Sequence, residues 1–518
     1  MPTGTGRLSG VLLPVFSFRS DDDFGIGDFG AFAGFFDWMQ AAKQRLLMVL
    51  PLLPTAPGDP SPYATRSAFG LNPLFIHLPS VPEFAQSGGF DALSDEDKAK
   101  LSEARSAHRI RYDLVFPVKG AALRRTFDTF DAEHWAKGTE RAQSFRDWCN
   151  AQRGWLETYA LFAALSDREG NRAWWEWPED LRTRKPEALE TASRELEREI
   201  RFRSFLQWIA ETQWSAVRDD ARSRNILLCG DEPFIIGQDS ADCWANPRIL
   251  RRDARLGVPP DDFSATGQDW GLPYFDFEAM EADDYAWLRF RAKKAASYYD
   301  VRRVDHAVGY FRQWIRDEKT PTGRFIPEDA QKHRPLGERN FRLLSEDAGI
   351  IAEDLGVIPD WVRETLGGLG LPGYKVLRWE RDMHVYRDPR KFSPVSLATT
   401  GTHDTDTLRE WWEALPREER EAAARAWPEL AAVPREEVEM TPPVHAALLA
   451  ACANSSSDLV VLPWQDILGT RERINLPGSM SDANWAYRIE QPTSRLLSDM
   501  PTRRAASMMA RMTEASGR

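Results

Sequence analysis

"VRRVDHAVGYF", residues 301–311, opens like a buried strand and then places Arg303, Asp305 and His306 within four positions. Burying ionisable groups costs on the order of several kcal/mol unless they are paired, so this strand must deliver its charges to a place where they act. It is one of eight short, nearly continuous apolar runs. The others are "GVLLPV" (10–15), "RLLMVLPL" (45–52), "ILLCGDEPF" (226–234), "GIIAEDL" (349–355), "YKVLRWE" (374–380), "SLATTGTHD" (396–404) and "DLVVLPWQDIL" (458–468). Runs with little alternation suit parallel strands covered on both faces, and eight is the number a β/α barrel needs. Helix-like stretches at 29–43, 278–299 and 406–416 fall between them. The alternation predicts the α/β class, specifically a (β/α)8 TIM barrel with large, mostly helical insertions around its carboxyl-end face.

Two segments break the rhythm. From about 53 to 225 no strand-like run occurs, but "SDEDKAKLSEARSAH" (94–108) sets Ser94 and Asp97 in capping-box positions and 186–222 is one long amphipathic stretch. The second segment, 246–277, is rich in Pro, Gly, Asp and aromatics and reads as an irregular active-site loop. Residues 1–518 are thus expected to form one catalytic barrel carrying two insertions.

Composition narrows the partners. Hydrophobic residues make up 42% and charged residues 28%, as in an ordered chain, and the net charge of −12 comes without a basic, aromatic-rich cluster. Nucleic acid is therefore an unfavoured partner. Cys149, Cys229, Cys243 and Cys452 show no CxxC spacing and read as reduced thiols. "MPTGTGRLSGVLLPVFSF" is too weakly apolar for a signal peptide or a membrane span, so a cytoplasmic location and no membrane partner are expected.

Three of the runs end in polar groups: Asp305, Glu353, and His403 with Asp404. The carboxyl ends of barrel strands share the face that carries chemistry. Two carboxyl groups across a scissile bond are what glycoside chemistry requires, one attacking the anomeric carbon and the other protonating the leaving oxygen. Asp305 suits the nucleophile, with Arg303 two positions back on the same strand face to pair with it. Glu353, after an apolar run and near Asp305, should have its pKa raised, as an acid catalyst requires. His403 and Asp404 could bind ring hydroxyls and stabilise developing positive charge. A lone strand-end Asp is more often a cap, and Arg-x-Asp more often a structural ion pair, so the signal lies in the combination. His306 and His403 each adjoin an Asp, which leaves a metal site as the other chemical reading. With no HxH and no HExxH in the chain, neither a catalytic metal nor a cofactor is expected.

"RVDH", "AEDLG" and "GTHDTDTLR", in that order, resemble the catalytic regions of amylomaltases, the 4-α-glucanotransferases of the α-amylase superfamily. Further similar segments span almost the whole chain: 61–74, 159–165, 174–182, 238–247, 257–271, 370–377 and 473–478. The resemblance implies a (β/α)8 barrel and a retaining double displacement without a metal. In it Asp305 would be the nucleophile, Glu353 the acid/base and Asp404 the transition-state stabiliser. It further implies that Arg303, His403 and Asn475 contact sugar or nucleophile, and that Tyr63, Asp261, Phe263, Gln268 and Trp270 line a glucan groove. The implied partners are maltodextrins and other α-1,4-glucans derived from starch or glycogen, with glucose as acceptor. Met48, Val308, Asp262 and Leu272 depart from the family pattern and bear on subsite detail. An amylase-like hydrolase and a non-catalytic glucan-binding protein are the alternatives, separated by product analysis.

Overall fold

All eight apolar runs become strands in the computed structural model, which describes residues 6–260, 267–317, 323–431, 433–434, 438–479 and 481–518. They are β1 (Leu8–Leu12), β2 (Leu46–Val49), β3 (Leu227–Glu232), β4 (Val301–Val304), β5 (Gly349–Ala352), β6 (Gly373–Val376), β7 (Ser396–Thr399) and β8 (Leu459–Pro463). They pair in parallel in the order β6-β7-β8-β1-β2-β3-β4-β5, each strand beside its neighbours in sequence. The ring closes between β5 and β6, where the Ala352 N–H donates to the Pro372 carbonyl at 2.8 Å. Every residue of β1, β2, β4, β7 and β8 is buried, which explains why these runs show no polar alternation.

β4 is buried although it carries two arginines. Successive strand residues point to opposite faces, so Arg302 and Arg303 part company. Arg302 is fully buried between the barrel and its outer layer, donating to Glu232 Oε2 at 3.0 Å, while Arg291 of the helix Ala286–Tyr298 reaches Glu232 Oε1 at 3.1 Å. Arg303 points to the site described below. Gly230, on β3, is required by packing: a Cβ there would lie 2.3 Å from the Tyr299 ring.

Residues between β2 and β3 supply helices, among them Asp95–Ser106, Tyr112–Phe130, Glu140–Ala151, Arg153–Arg168 and the 27-residue Glu197–Ser223. Ser94 caps the first of these, its hydroxyl oxygen accepting from Asp97 N–H at 3.0 Å. The longest helix seats Trp214 against the barrel, with Nε1 donating to the Tyr298 carbonyl at 2.9 Å.

The expectation of an irregular loop at 246–277 is corrected. Leu250–Val258 and Gln268–Phe275 pair antiparallel and, with Gln313–Arg316 and Arg324–Ile326, build a four-stranded sheet. Register shifts between Arg251 and Leu256, and between Leu256 and Gly257, break the two-residue alternation that would have signalled strands. The four cysteines are unpaired thiols. Among the described residues no helix is long and apolar enough to cross a membrane.

Candidate active site

Strand pairing assembles the site. In register, Asp231 of β3 faces Arg303 of β4, and Val304 faces Ala352 of β5, so Asp305 and Glu353 are the next residues beyond two paired strands. The pairing extends past the strand ends, with Glu353 N–H donating to the Val304 carbonyl and Ala307 N–H to the Glu353 carbonyl, both at 2.9 Å. Paired strands lie about 4.8 Å apart, which sets two carboxyl-bearing residues side by side at the barrel mouth.

Arg303 organises the centre. Its Nη1 donates to Asp231 Oδ1 and Oδ2 at 2.6 and 2.8 Å and to Asp305 Oδ1 at 2.8 Å. Burial alone would lower the guanidinium's pKa, but Asp231 and Asp305 outweigh it and raise it well above its ordinary value. Asp231 is fully buried, whereas the Asp305 carboxyl is 27% exposed and so within reach of a ligand.

Glu353 has the opposite environment. Burial, with a further push from the Asp305 charge, raises its carboxyl to about 7, against the pull of Arg303. Oε2 accepts from the His306 main-chain N–H at 2.8 Å, and Oε1 from Leu355 N–H at 3.0 Å. His306 takes the left-handed backbone, with φ of 45°, and its ring lies edge-on to Trp270 and Phe234 at 4.8 and 5.5 Å. Burial lowers that imidazole to about 4 and keeps it neutral. His306 thus serves through its main chain and its ring face.

A third group comes from the turn after β7. Burial would raise Asp404, but the charge and hydrogen bond of His403, 3.3 Å away, and the Asn475 amide, donating at 2.7 Å, hold its carboxyl at about 2. The interaction is mutual, since Asp404 raises the buried His403 despite the cost of desolvation. Tyr63 links the halves: its O–H donates to Asp231 Oδ2 at 2.7 Å and lies 3.0 Å from His403 Nε2. Its ring packs against His403 at 5.4 Å and Trp485 at 5.7 Å.

The structure thus brings together Asp305, Glu353, Asp404, Arg303, His403, Tyr63 and Asn475. Asn475 reaches Asp404, a more specific contact than the sequence indicated. Gln268 is exposed and accepts from Trp270 Nε1 at 3.2 Å, on the sheet beside His306. Asp261 and Phe263 lie outside the described residues. Sequence reading did not nominate Asp231 or Trp485. Asp231 carried a usable signal, a carboxylate ending an apolar run in "ILLCGDEPF", while Trp485 lies in no periodic segment. Among the described residues, no group of three or more His, Cys, Asp or Glu is placed to hold a metal ion.

Residues 13–494 match the family described as 4-alpha-glucanotransferase. The chain belongs to the 4-alpha-glucanotransferase family. The 4-alpha-glucanotransferase of Synechocystis is 34% identical over 504 residues, spanning 93% of this chain and 94% of that protein. That of Thermus thermophilus is 34% identical over 503 residues, covering 93% and 95%. The solved amylomaltase of Streptococcus agalactiae, in complex with acarbose, superposes with a TM-score of 0.84 at 25% identity over 99% of both chains. Within this glucanotransferase family member the departures are scattered. Met48 lies on β2 with its sulfur 3.6 Å from the Tyr374 hydroxyl, which donates to it, Val308 lies in the helical turn Ala307–Tyr310, and Leu272 lies in Gln268–Phe275. Asp262 is outside the described residues.

Proposed function

We propose that the protein transfers α-1,4-glucan segments from a donor maltodextrin to the 4-hydroxyl of glucose or another glucan, through a covalent glycosyl–Asp305 intermediate. The observation that carries this is the pairing of Asp305, held by Arg303, with Glu353, whose carboxyl is raised to about 7, on neighbouring strand ends. Retaining enzymes hold their two carboxyl groups about 5–5.5 Å apart, and neighbouring strand ends are a placement that suits that mechanism.

In the first half-reaction Asp305 attacks the anomeric carbon, while Glu353 gives its proton to the leaving oxygen and the shortened glucan departs. In the second, the Glu353 carboxylate takes the proton of the acceptor's 4-hydroxyl as that oxygen displaces Asp305. Asp404, kept anionic by His403 and Asn475, stabilises the positive charge of both transition states. Arg303, His403 and Asn475 bind around the reacting ring, and Tyr63, Gln268 and Trp270 line the groove. The whole chain acts as one catalytic unit, with 53–225 and 246–277 as insertions that shape the groove. Its unpaired thiols support action in the reducing cytoplasm.

The direct test is to incubate the pure protein with maltotriose. Glucose together with a ladder of longer maltodextrins is expected, and shorter products alone would favour an amylase-like hydrolase. Asp305→Asn should stop both product series while still binding glucan.

A further inference from the structure

The turn that carries Asp404, residues 400–406, has no helix or strand of its own, so its shape depends on what it bonds to. Its first residue and its last carbonyl are tied inward. Thr400 Oγ1 donates to Asp466 Oδ2 at 2.6 Å, and Arg378 donates from Nε to the Thr400 carbonyl and from Nη1 to the Asp406 carbonyl, both at 3.0 Å.

At the outer end one side chain makes three ties. Arg473 donates from Nη2 to the Asp404 carbonyl at 3.2 Å and from Nε to the Asn475 carbonyl at 3.3 Å, while Nη1 pairs with Asp406 Oδ1. Asn475, two residues on, sends its amide to Asp404 Oδ1 at 2.7 Å and its main-chain N–H to the His403 carbonyl at 3.1 Å.

We propose that Arg473 is a positioning residue for glucan transfer, locking the 404–406 turn to the 473–475 segment so that Asn475 and His403 can fix the Asp404 carboxylate. The proposal rests on the reading of Asp404 as transition-state stabiliser. Arg473 does not touch that carboxylate; it acts through the main chain, Asp406 and Asn475. Its guanidinium spreads rigid donors in several directions, so it can hold three acceptors at once where an ammonium group holds them less well. Arg473 and Asp406 side chains are 23% and 52% exposed, so removing the arginine strands no buried charge. The fold should survive its loss.

The test compares Arg473→Ala, Arg473→Lys, Asp404→Asn and the double variant Arg473→Ala/Asp404→Asn, using an α-glucosyl fluoride donor with maltose as acceptor so that slow variants stay readable. Arg473→Ala is expected to lower kcat about 10- to 100-fold, the cost of a small misplacement near the reacting centre. KM should change by no more than about threefold and the melting temperature by a few degrees, with Lys restoring only part of the rate. The double variant should be no slower than Asp404→Asn alone, because residues acting as one unit are not additive. An unchanged kcat in Arg473→Ala beside an inactive Asp404→Asn overturns the proposal, as does a double variant slower by the full factor of the arginine change. A near-normal Asp404→Asn would instead overturn the Asp404 reading, and the proposal with it.

Discussion

A single guanidinium nitrogen, Nη1 of Arg303, is shared between Asp231 at 2.6 and 2.8 Å and Asp305 at 2.8 Å. Asp231 is the closer and the more buried partner, so it anchors the guanidinium while Asp305 remains partly open to a ligand.

Asp231→Asn should therefore impair catalysis without removing any group proposed to touch the reacting bond. Loss of the anchoring charge lets Arg303 shift toward Asp305, and kcat should fall about 10- to 100-fold, as expected for a misplaced catalytic group. Steady-state kinetics with maltotriose decide this, and a normal kcat would show that Arg303 holds its place unaided.

If Glu353 is the proton donor proposed above, its raised carboxyl sets the alkaline side of the reaction. Its proton is needed in the first half-reaction, so kcat/KM should fall as pH rises through about 7. The same shift affects stability. Below the unfolded pKa of about 4.3 the group is neutral in both states, and above the folded value folding must keep a disfavoured charge. Glu353→Gln should therefore shift the melting temperature more favourably at pH 8 than at pH 4. Equal shifts at both pH values would contradict the assigned direction.

Glu232 bridges Arg291 and Arg302, both essentially without solvent exposure. Glu232→Ala removes the ion-pair partner of two buried cations and should cost about 3–5 kcal/mol, read from chemical denaturation. A loss under 1 kcal/mol, the size of an exposed pair, would mean water reaches that layer.

Trp270 meets His306 edge-on at 4.8 Å and stands beside the exposed Gln268. Trp270→Ala should raise KM for maltotriose several-fold, in line with roughly 0.5–1.5 kcal/mol for an aromatic contact, and increase the share of hydrolysis by opening the mouth to water. Released glucose and chain-extended products, measured together, give both numbers.

The barrel was legible because burial on both faces writes unbroken apolar runs, and all eight became strands. That Asp305, Glu353 and Asp404 converge was legible because polar groups at the ends of such runs have one shared destination. The outer sheet was not, since shifted register and residues such as Pro273 disguise Gln268–Phe275 as a loop. Nor could any periodicity show that Asn475 and Arg473, about seventy positions away, converge on the turn of Asp404. Contacts between loops depend on how the chain returns, which local pattern does not encode.

The neighbouring placement of Asp305 and Glu353 comes from hydrogen bonds between main chains, which side-chain exchange does not edit. Two thirds of the residues differ from those of the Synechocystis relative, yet strand pairing of this kind does not depend on which side chains the strands carry. Drift is then free to work on the loops around the mouth, and the neighbouring placement of the two carboxyl-bearing residues comes along as a property of the barrel itself.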